Sequence, residues 1–342
     1  MVAPVRVSEE GRIIAGGNLL DMLRADDRAR LFELGRPRVV EEGEEVVRQG
    51  TLGDCLFVVE EGELAVVRSL PGDEEKVLLT ARPGMLLGEL AVLDGGARAA
   101  SLRAVRRSVL RVIGLGAFEA LTLYGGEAGH RILRAVATLV HQRLNATRLA
   151  AKCQGAPVGG AAPEGASLAW SPAHDDMAEV LGVLAAFSRL HRPDIEAMLP
   201  AIARAALERG ADLVLPEVHS PGVVMVLRGA LSPWLADGSG PEATMPAVGP
   251  GGFVDYAAAL GIPAEARRWR VRSPTQLMRL DAALFEPSAA SSALLLYALS
   301  RDIALTLRRT TGLAMHFGMA WAREAPARAG ANRGRSHVPV AT

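Results

Sequence analysis

The stretch Gly88-Glu89-Leu90-Ala91-Val92-Leu93-Asp94-Gly95-Gly96-Ala97-Arg98-Ala99-Ala100-Ser101 decides how this chain is read. A glycine opens a short helical turn, a carboxylate follows at once, and Arg98 comes later among small residues. The start of a helical turn exposes unpaired backbone N–H groups and a partial positive end, which suit an anion. An arginine adds a permanent charge and a planar fork of donors that matches phosphate oxygens. Small residues beside it let a ligand come close to the backbone. Together these parts suit one phosphate and one sugar hydroxyl.

Upstream, residues 46–67 read as short strands punctuated by Gly50, Gly53-Asp54 and Gly62. Phe57-Val58-Val59 and Leu64-Ala65-Val66-Val67 are apolar, β-prone pieces between those turns. Residues 74–80 and 105–113 continue the pattern, and many short strands with glycine turns predict a small jelly roll. Helices are predicted over 19–34 and from 116 to about 152. In the second of these, Ile132, Val136, Leu139, Val140 and Leu144 form an apolar stripe.

The pattern then recurs. Leu23, Gly43, Gly62, Pro83-Gly84, Leu110 and Phe118 return as Leu190, Gly210, Gly229, Pro250-Gly251, Leu277 and Phe285, each 167 positions later. One shared glycine would mean little, but landmarks locked in one register across the whole unit imply two copies of one fold. The expected fold class is therefore mainly β with flanking helices, two jelly-roll (double-stranded β-helix) domains in tandem. The expected boundaries are 15–152 for the first domain, 153–175 for a linker, 176–321 for the second domain and 322–342 for a disordered tail. The Gly- and Ala-rich run 155–165, uncharged but for one acidic residue, suits a flexible linker, and the Arg-, Ala- and Gly-rich end suits disorder.

With its preceding signature (Gly43-Glu44, Gly50, Gly53-Asp54, Phe57-Val58-Val59, Glu61-Gly62-Glu63), the 88–101 stretch resembles the phosphate-binding cassette of cyclic-nucleotide-binding domains. These are the modules of catabolite activator proteins and of regulatory subunits of cAMP-dependent kinases. The resemblance covers about residues 19–150. It implies that Glu89 accepts a hydrogen bond from the ribose 2′-hydroxyl and that Arg98 pairs with the cyclic phosphate. It also implies that Gly88 permits the tight turn, that Leu90, Ala91 and Ala99 lend backbone N–H groups, and that Ala100 continues the close-approach run. Members that prefer cGMP often carry a threonine directly after the arginine. Ala99 has no hydroxyl, so cAMP is expected over cGMP. Ala97 and Ser101 stand where the family usually has proline and threonine. The lid over the base is expected from residues 136–144, with Arg143 either stacking on a purine or solvated on its helix.

The second copy departs from this pattern. At the same offset Glu265 stands opposite Arg98, and a carboxylate there repels a phosphate. A two-residue shift would bring Arg267 into place, with Arg268, Arg270 and Arg272 as further candidates. The glycine–glutamate pair becomes Phe253-Val254-Asp255-Tyr256. This copy is expected to be degenerate, kept for packing, partner contact or communication. Residues 267–272, alternating around Trp269 and Val271, read as an exposed or interface strand.

Composition narrows the alternatives. Nearly half of the 342 residues are hydrophobic (49%), enough for sizeable cores, and Lys+Arg equals Asp+Glu at 38 each, so no global nucleic-acid coat is expected. No signal peptide or apolar span is apparent, and Cys55 and Cys153 lack metal-like spacing, so a cytoplasmic protein with reduced thiols and no membrane contact is expected. The seven histidines are scattered without a His-x-His pair, and no P-loop, Gly-x-Ser-x-Gly elbow or His-Glu-x-x-His helix occurs. No metal, cofactor or catalytic residue is therefore expected.

A transcription regulator of the catabolite-activator type would need a helix-turn-helix, and the segment beyond Trp321 reads as too short for one, so DNA binding is not expected. An Arg-Arg-x-Ser/Thr inhibitor site is also missing before the first barrel. The reading is a non-catalytic receptor that signals through helix movement to domain 2 or to an unidentified protein partner. An interaction scaffold that has lost its ligand is the alternative. The stripe of helix 131–149 is expected either to form a homodimer or to pack on residues 294–307.

Overall fold

A computed structural model of the chain describes residues 17–70, 72, 74–152, 168–173, 177–215, 222–234, 246–262 and 267–316. The run 155–165, Glu265 and the tail 322–342 lie outside the described residues.

In the first unit, two short helices, α1 (Leu19–Met22) and α2 (Ala25–Glu33), precede the strands. The strands are β1 (Arg36–Val40), β2 (Glu45–Val47), β3 (Cys55–Ser69), β4 (Glu75–Ala81), β5 (Leu86–Leu87) and β6 (Ser101–Gly114). They form an antiparallel sheet in the order β1-β6-β3-β4, with β2 on β6 and β5 on β3. Helix α3 (Glu89–Asp94) joins β5 to β6, and α4 (Leu115–Tyr124) and α5 (Gly126–Lys152) follow. The second unit repeats the plan. It contains β7 (Ser171–Pro172), α6 (Met177–Gly182), α7 (Arg192–Met198), β8 (Ile202–Leu207), β9 (Asp212–Leu215), β10 (Gly222–Trp234), α8 (Ala257–Leu260), β11 (Arg267–Asp281) and α9 (Ser292–His316). Its sheet runs β10-β11-β8-β7, with β9 on β11.

The 167-residue offset is written into the backbone. Gly84 N donates to Val59 O at 2.8 Å, and Gly251 N donates to Val226 O at 2.8 Å. Gly43 N meets Ala104 O, and Gly210 N meets Val271 O, both at 2.9 Å. Gly62 (φ 88°) and Gly229 (φ 91°) sit at matching bends of β3 and β10 in the left-handed region. A Cβ on Gly62 would lie 2.1 Å from Ser108 Oγ, and one on Gly229 would lie 2.5 Å from Thr275 Oγ1. Those two hydroxyls also correspond: Ser108 accepts from Glu63 N, and Thr275 accepts from Ala230 N. The strand bends of both copies therefore need glycine for the same steric reason.

Three apolar cores result. One fills the first roll around Phe57, Leu64 and Leu110, and another fills the second around Val226, Trp269 and Leu277. The third lies between the units, where Ile132, Val136, Leu139, Val140 and Leu144 of α5 join Leu295, Leu299, Ile303 and Leu307 of α9. The predicted stripe of 131–149 is thus covered within the chain by the second copy's helix. That face is not left open for a homodimer.

Four expectations need correction. The helix predicted over 19–34 breaks at Leu23 and Arg24, whose extended backbone turns α2 so that buried Asp27 accepts from Arg131 at 2.8 Å. The helix predicted over 116–152 breaks at Gly125-Gly126, because α4 and α5 cross closely. A Cβ on Gly129 would stand 1.9 Å from Leu121 O. Part of the expected linker is not linker: Ser171 and Pro172 pair with Arg204 and Ala203, and Leu168 and Trp170 pack on the second core. Finally, Trp269 and Val271 are buried, 2% and 1% exposed, so the 267–272 stretch is a core strand paired on both sides, with Arg268, Arg270 and Arg272 alternating onto the opposite face.

In the second unit Asp302 of α9 accepts from Tyr256 Oη at 2.9 Å and from Phe253 N at 3.4 Å. Burial pushes its carboxyl up to about 6. The folded chain therefore holds a proton that the unfolded chain releases, and stability falls as pH rises between about 4 and 6. Asp302→Asn should flatten that part of the stability–pH curve, worth at most ~3 kcal/mol at one pKa unit per ~1.4 kcal/mol; urea midpoints across this range measure it. Gly62→Ala should cost about 1–3 kcal/mol from its strained φ and close neighbours. Gly43→Ala, at φ 80° with nothing within 4 Å of the added carbon, should cost less in the same measurement.

Candidate functional site

The 88–101 segment lines a cavity of about 130 Å³. Gly88, Glu89, Leu90, Ala91, Arg98, Ala99 and Ala100 all face it, so the structure brings every sequence-predicted site residue to one hollow. Gly88 enters α3 at φ 80°, and a Cβ there would stand 2.6 Å from Arg98 Nη1. Glycine at 88 is thus set both by the backbone and by the arginine it shelters. The strand walls are apolar (Val47, Val66, Leu78, Leu79, Leu87, Leu102) except for Arg68. Burial and the nearby charge of Arg308 lower the pKa of the Arg68 guanidinium.

Arg98 is the centre of the site. It is only 4% exposed, with Nη1 donating to Gly88 O at 3.2 Å and Nη2 to Cys55 Sγ at 3.3 Å. Its guanidinium lies 5.5 Å from the Phe57 ring centroid. The nearest carboxylate, Asp54, is 3.9 Å away and itself 91% exposed, and Arg98 Nε is buried without a partner. A buried cation so poorly compensated is costly unless an anion completes it. Burial and Asp54 raise the Cys55 thiol, so Cys55 meets the arginine as a neutral, weak acceptor.

Glu89 does not pair with Arg98. Buried at 4% exposure, it accepts a hydrogen bond from Arg143 Nη1, and Arg143 Nη2 donates to Leu86 O at 2.6 Å. This corrects both sequence expectations for Arg143. It is neither solvated nor free to stack on a base; it is a buried side chain of α5 that aims the Glu89 carboxylate. Sequence alone gave no signal for this pairing, since 54 residues separate the two.

The far wall comes from the second unit. Leu307, Arg308 and Thr311 of α9 line the cavity, a contribution the sequence reading did not include.

The second unit does not repeat the residues of this cassette. Where the first unit has Gly88-Glu89-Leu90, the second has half-buried Asp255 followed by buried Tyr256 and Ala257. Asp255 accepts from Ala257 N at 3.0 Å and is raised chiefly by burial. The arginines considered as substitutes for Arg98 are engaged elsewhere. Arg267 reaches Asn145 Oδ1 at 3.2 Å, Arg268 and Arg270 both grip Asp212, and Arg272 donates to Ser232 at 2.7 Å. A His141 ring from α5 packs edge-on against the Tyr256 ring, with centroids 5.7 Å apart. Among the described residues no cluster of three or more His, Cys, Asp or Glu is placed to hold a metal, and no helix is long and apolar enough to cross a membrane.

Residues 37–123 match the family model of the cyclic nucleotide-binding domain. The chain is 43% identical over 65 residues to an uncharacterized ABC transporter ATP-binding protein of Mycobacterium bovis, covering 19% of this chain and 20% of that one. It is 33% identical over 103 residues to the cAMP-dependent protein kinase regulatory subunit of Mucor circinelloides f. lusitanicus, covering 30% and 24%. The matches thus span a fifth to a quarter of the length of these relatives. Among solved structures, the catabolite activator protein of Thermus thermophilus aligns at 27% identity and a TM-score of 0.36, over 39% of this chain and 60% of that one. The family match falls on the roll that holds Glu89 and Arg98, and so the first unit of this chain is a cyclic nucleotide-binding domain.

Proposed function

We propose that the first cavity binds a cyclic mononucleotide, with cAMP the first to test, and that the chain is a non-catalytic receptor. The observation that carries this is Arg98: a buried guanidinium with an unpartnered Nε and no close buried carboxylate, facing a hollow lined by apolar walls. A single phosphate would supply the missing charge and acceptors. Glu89, held by Arg143, is placed to accept from a ribose hydroxyl. A purine would rest on Val66, Leu78, Leu79 and Leu102.

The signal has a direct route in this reading. Arg143 belongs to α5, so a ligand that engages Glu89 competes with or tightens the α5 contact. Helix α5 packs along α9 of the second unit. The ligand shifts this arrangement only as far as it binds one state better than the other.

Calorimetric titration with cAMP, cGMP and cyclic dinucleotides tests the reading, and saturation with a true ligand at 100 times Kd should add ~2.7 kcal/mol to stability. Arg98→Ala should weaken binding at least tenfold, since truncating one partner of a buried charge pair costs ~2–5 kcal/mol. Identical titrations for this variant and the parent would remove the assignment. Hydrogen exchange over 131–149 should change on ligand addition; unchanged exchange would leave binding without the helix signal.

A further inference from the structure

Each terminal helix packs on its own unit and also reaches across to the other. Position 308 of α9 and position 141 of α5 stand 167 residues apart, and each lies against the other unit's α3 or α8 segment. His141 of α5 packs on Tyr256, the residue just before α8, and Asn145 takes Arg267. Arg308 of α9 forks onto Asp94, the last residue of α3, at 2.7 and 3.1 Å, and donates to Ala97 O at 2.8 Å. The arrangement is pseudo-symmetric, and its outcome differs. In the second unit the helix packs closely, with His141 5% and Tyr256 3% exposed. In the first a cavity survives under Leu307 and Thr311.

We propose that the second unit is a working wall of the first unit's ligand site, with Arg308 as the positioning residue that fixes the cassette from outside. This rests on the reading of that cavity as a cyclic nucleotide site. Ala97 precedes Arg98 in the chain, so the Arg308 fork onto Asp94 and Ala97 O pins the backbone on both sides of Gly95-Gly96. Two consecutive glycines give that loop the most conformational freedom of any stretch in the cassette. Pinned by Arg308, it presents Arg98 to the hollow in one place. Asp94 has a side chain only 1% exposed, so without Arg308 its carboxylate would be left buried beside the glycine pair. Leu307 and Thr311, one turn apart on α9, close the cavity opposite the strands. Ligand in the cavity and docking of the second unit therefore support one another, and the degenerate copy is retained as the lid of the working one.

The test uses the full chain, titrated with cAMP and with cGMP. Arg308→Met should raise Kd for the bound nucleotide about tenfold, Arg308→Lys should recover part of that, and the exposed neighbour Arg309→Ala should bind as the parent does. Nucleotide should slow hydrogen exchange over 303–313 in the parent and not in Arg308→Met. Thr311→Trp fills the cavity from α9 while leaving the Arg308 fork in place, and should also weaken binding at least tenfold. If the parent binds nucleotide while Arg308→Met and Thr311→Trp bind equally well, the wall proposal falls and the site reading stands. If the parent binds neither nucleotide, both fall together.

Discussion

The apolar seam between α5 and α9 is the contact on which the rest of the molecule depends. Each roll has its own small core, but the largest continuous core lies between them. Burying Ile132, Val136, Leu139 and Leu144 against Leu295, Leu299, Ile303 and Leu307 removes from water what would otherwise be two exposed apolar stripes. Polar contacts then fix the register along the seam. Arg134 donates to Phe285 O at 2.9 Å, Tyr297 donates to Glu119 at 3.0 Å, and Arg308 forks onto Asp94. A helix held at so many points cannot slide without breaking several of them.

On that frame the first cavity gathers charge unevenly. Glu89 and Asp94 are each matched to one arginine, Arg143 and Arg308, and both pairs are well buried on the carboxylate side. Arg98 has no close buried carboxylate, only exposed Asp54 at 3.9 Å, and its other neighbours are a carbonyl, a thiol and an aromatic ring. The two satisfied pairs act as fixed struts, and the third arginine carries the open valence. This asymmetry is why the proposed ligand has one anionic group rather than none.

The two copies show what the fold keeps and what it lets go. The bends at Gly62 and Gly229, the turns at Gly84 and Gly251, and the hydroxyls of Ser108 and Thr275 are the same in both, because a roll cannot close without them. The cassette is not needed for closure. In the second copy it has become Asp255-Tyr256-Ala257, with Tyr256 bonded to Asp302, and Arg268 and Arg270 serve Asp212 instead.

Much of this was legible in the sequence. The strand-and-glycine rhythm gave the roll, the 167-residue offset gave the tandem, and the spacing of Gly88, Glu89 and Arg98 gave the pocket, because each is set by local sterics or by residues close in the chain. The breaks at Arg24 and Gly125-Gly126 were not legible, since helical periodicity runs on through them; the docking of Asp27 on Arg131 goes with the first and the close crossing of α4 and α5 with the second. Nor were the partners of Glu89 and Asp94, which are arginines 54 and 214 residues away. Sequence by itself determined which residues could form a roll with an anion pocket. Only tertiary structure decided which arginine lacks a buried carboxylate and that residues of the second unit line the first cavity, because charge pairing and burial depend on what long-range packing brings within reach.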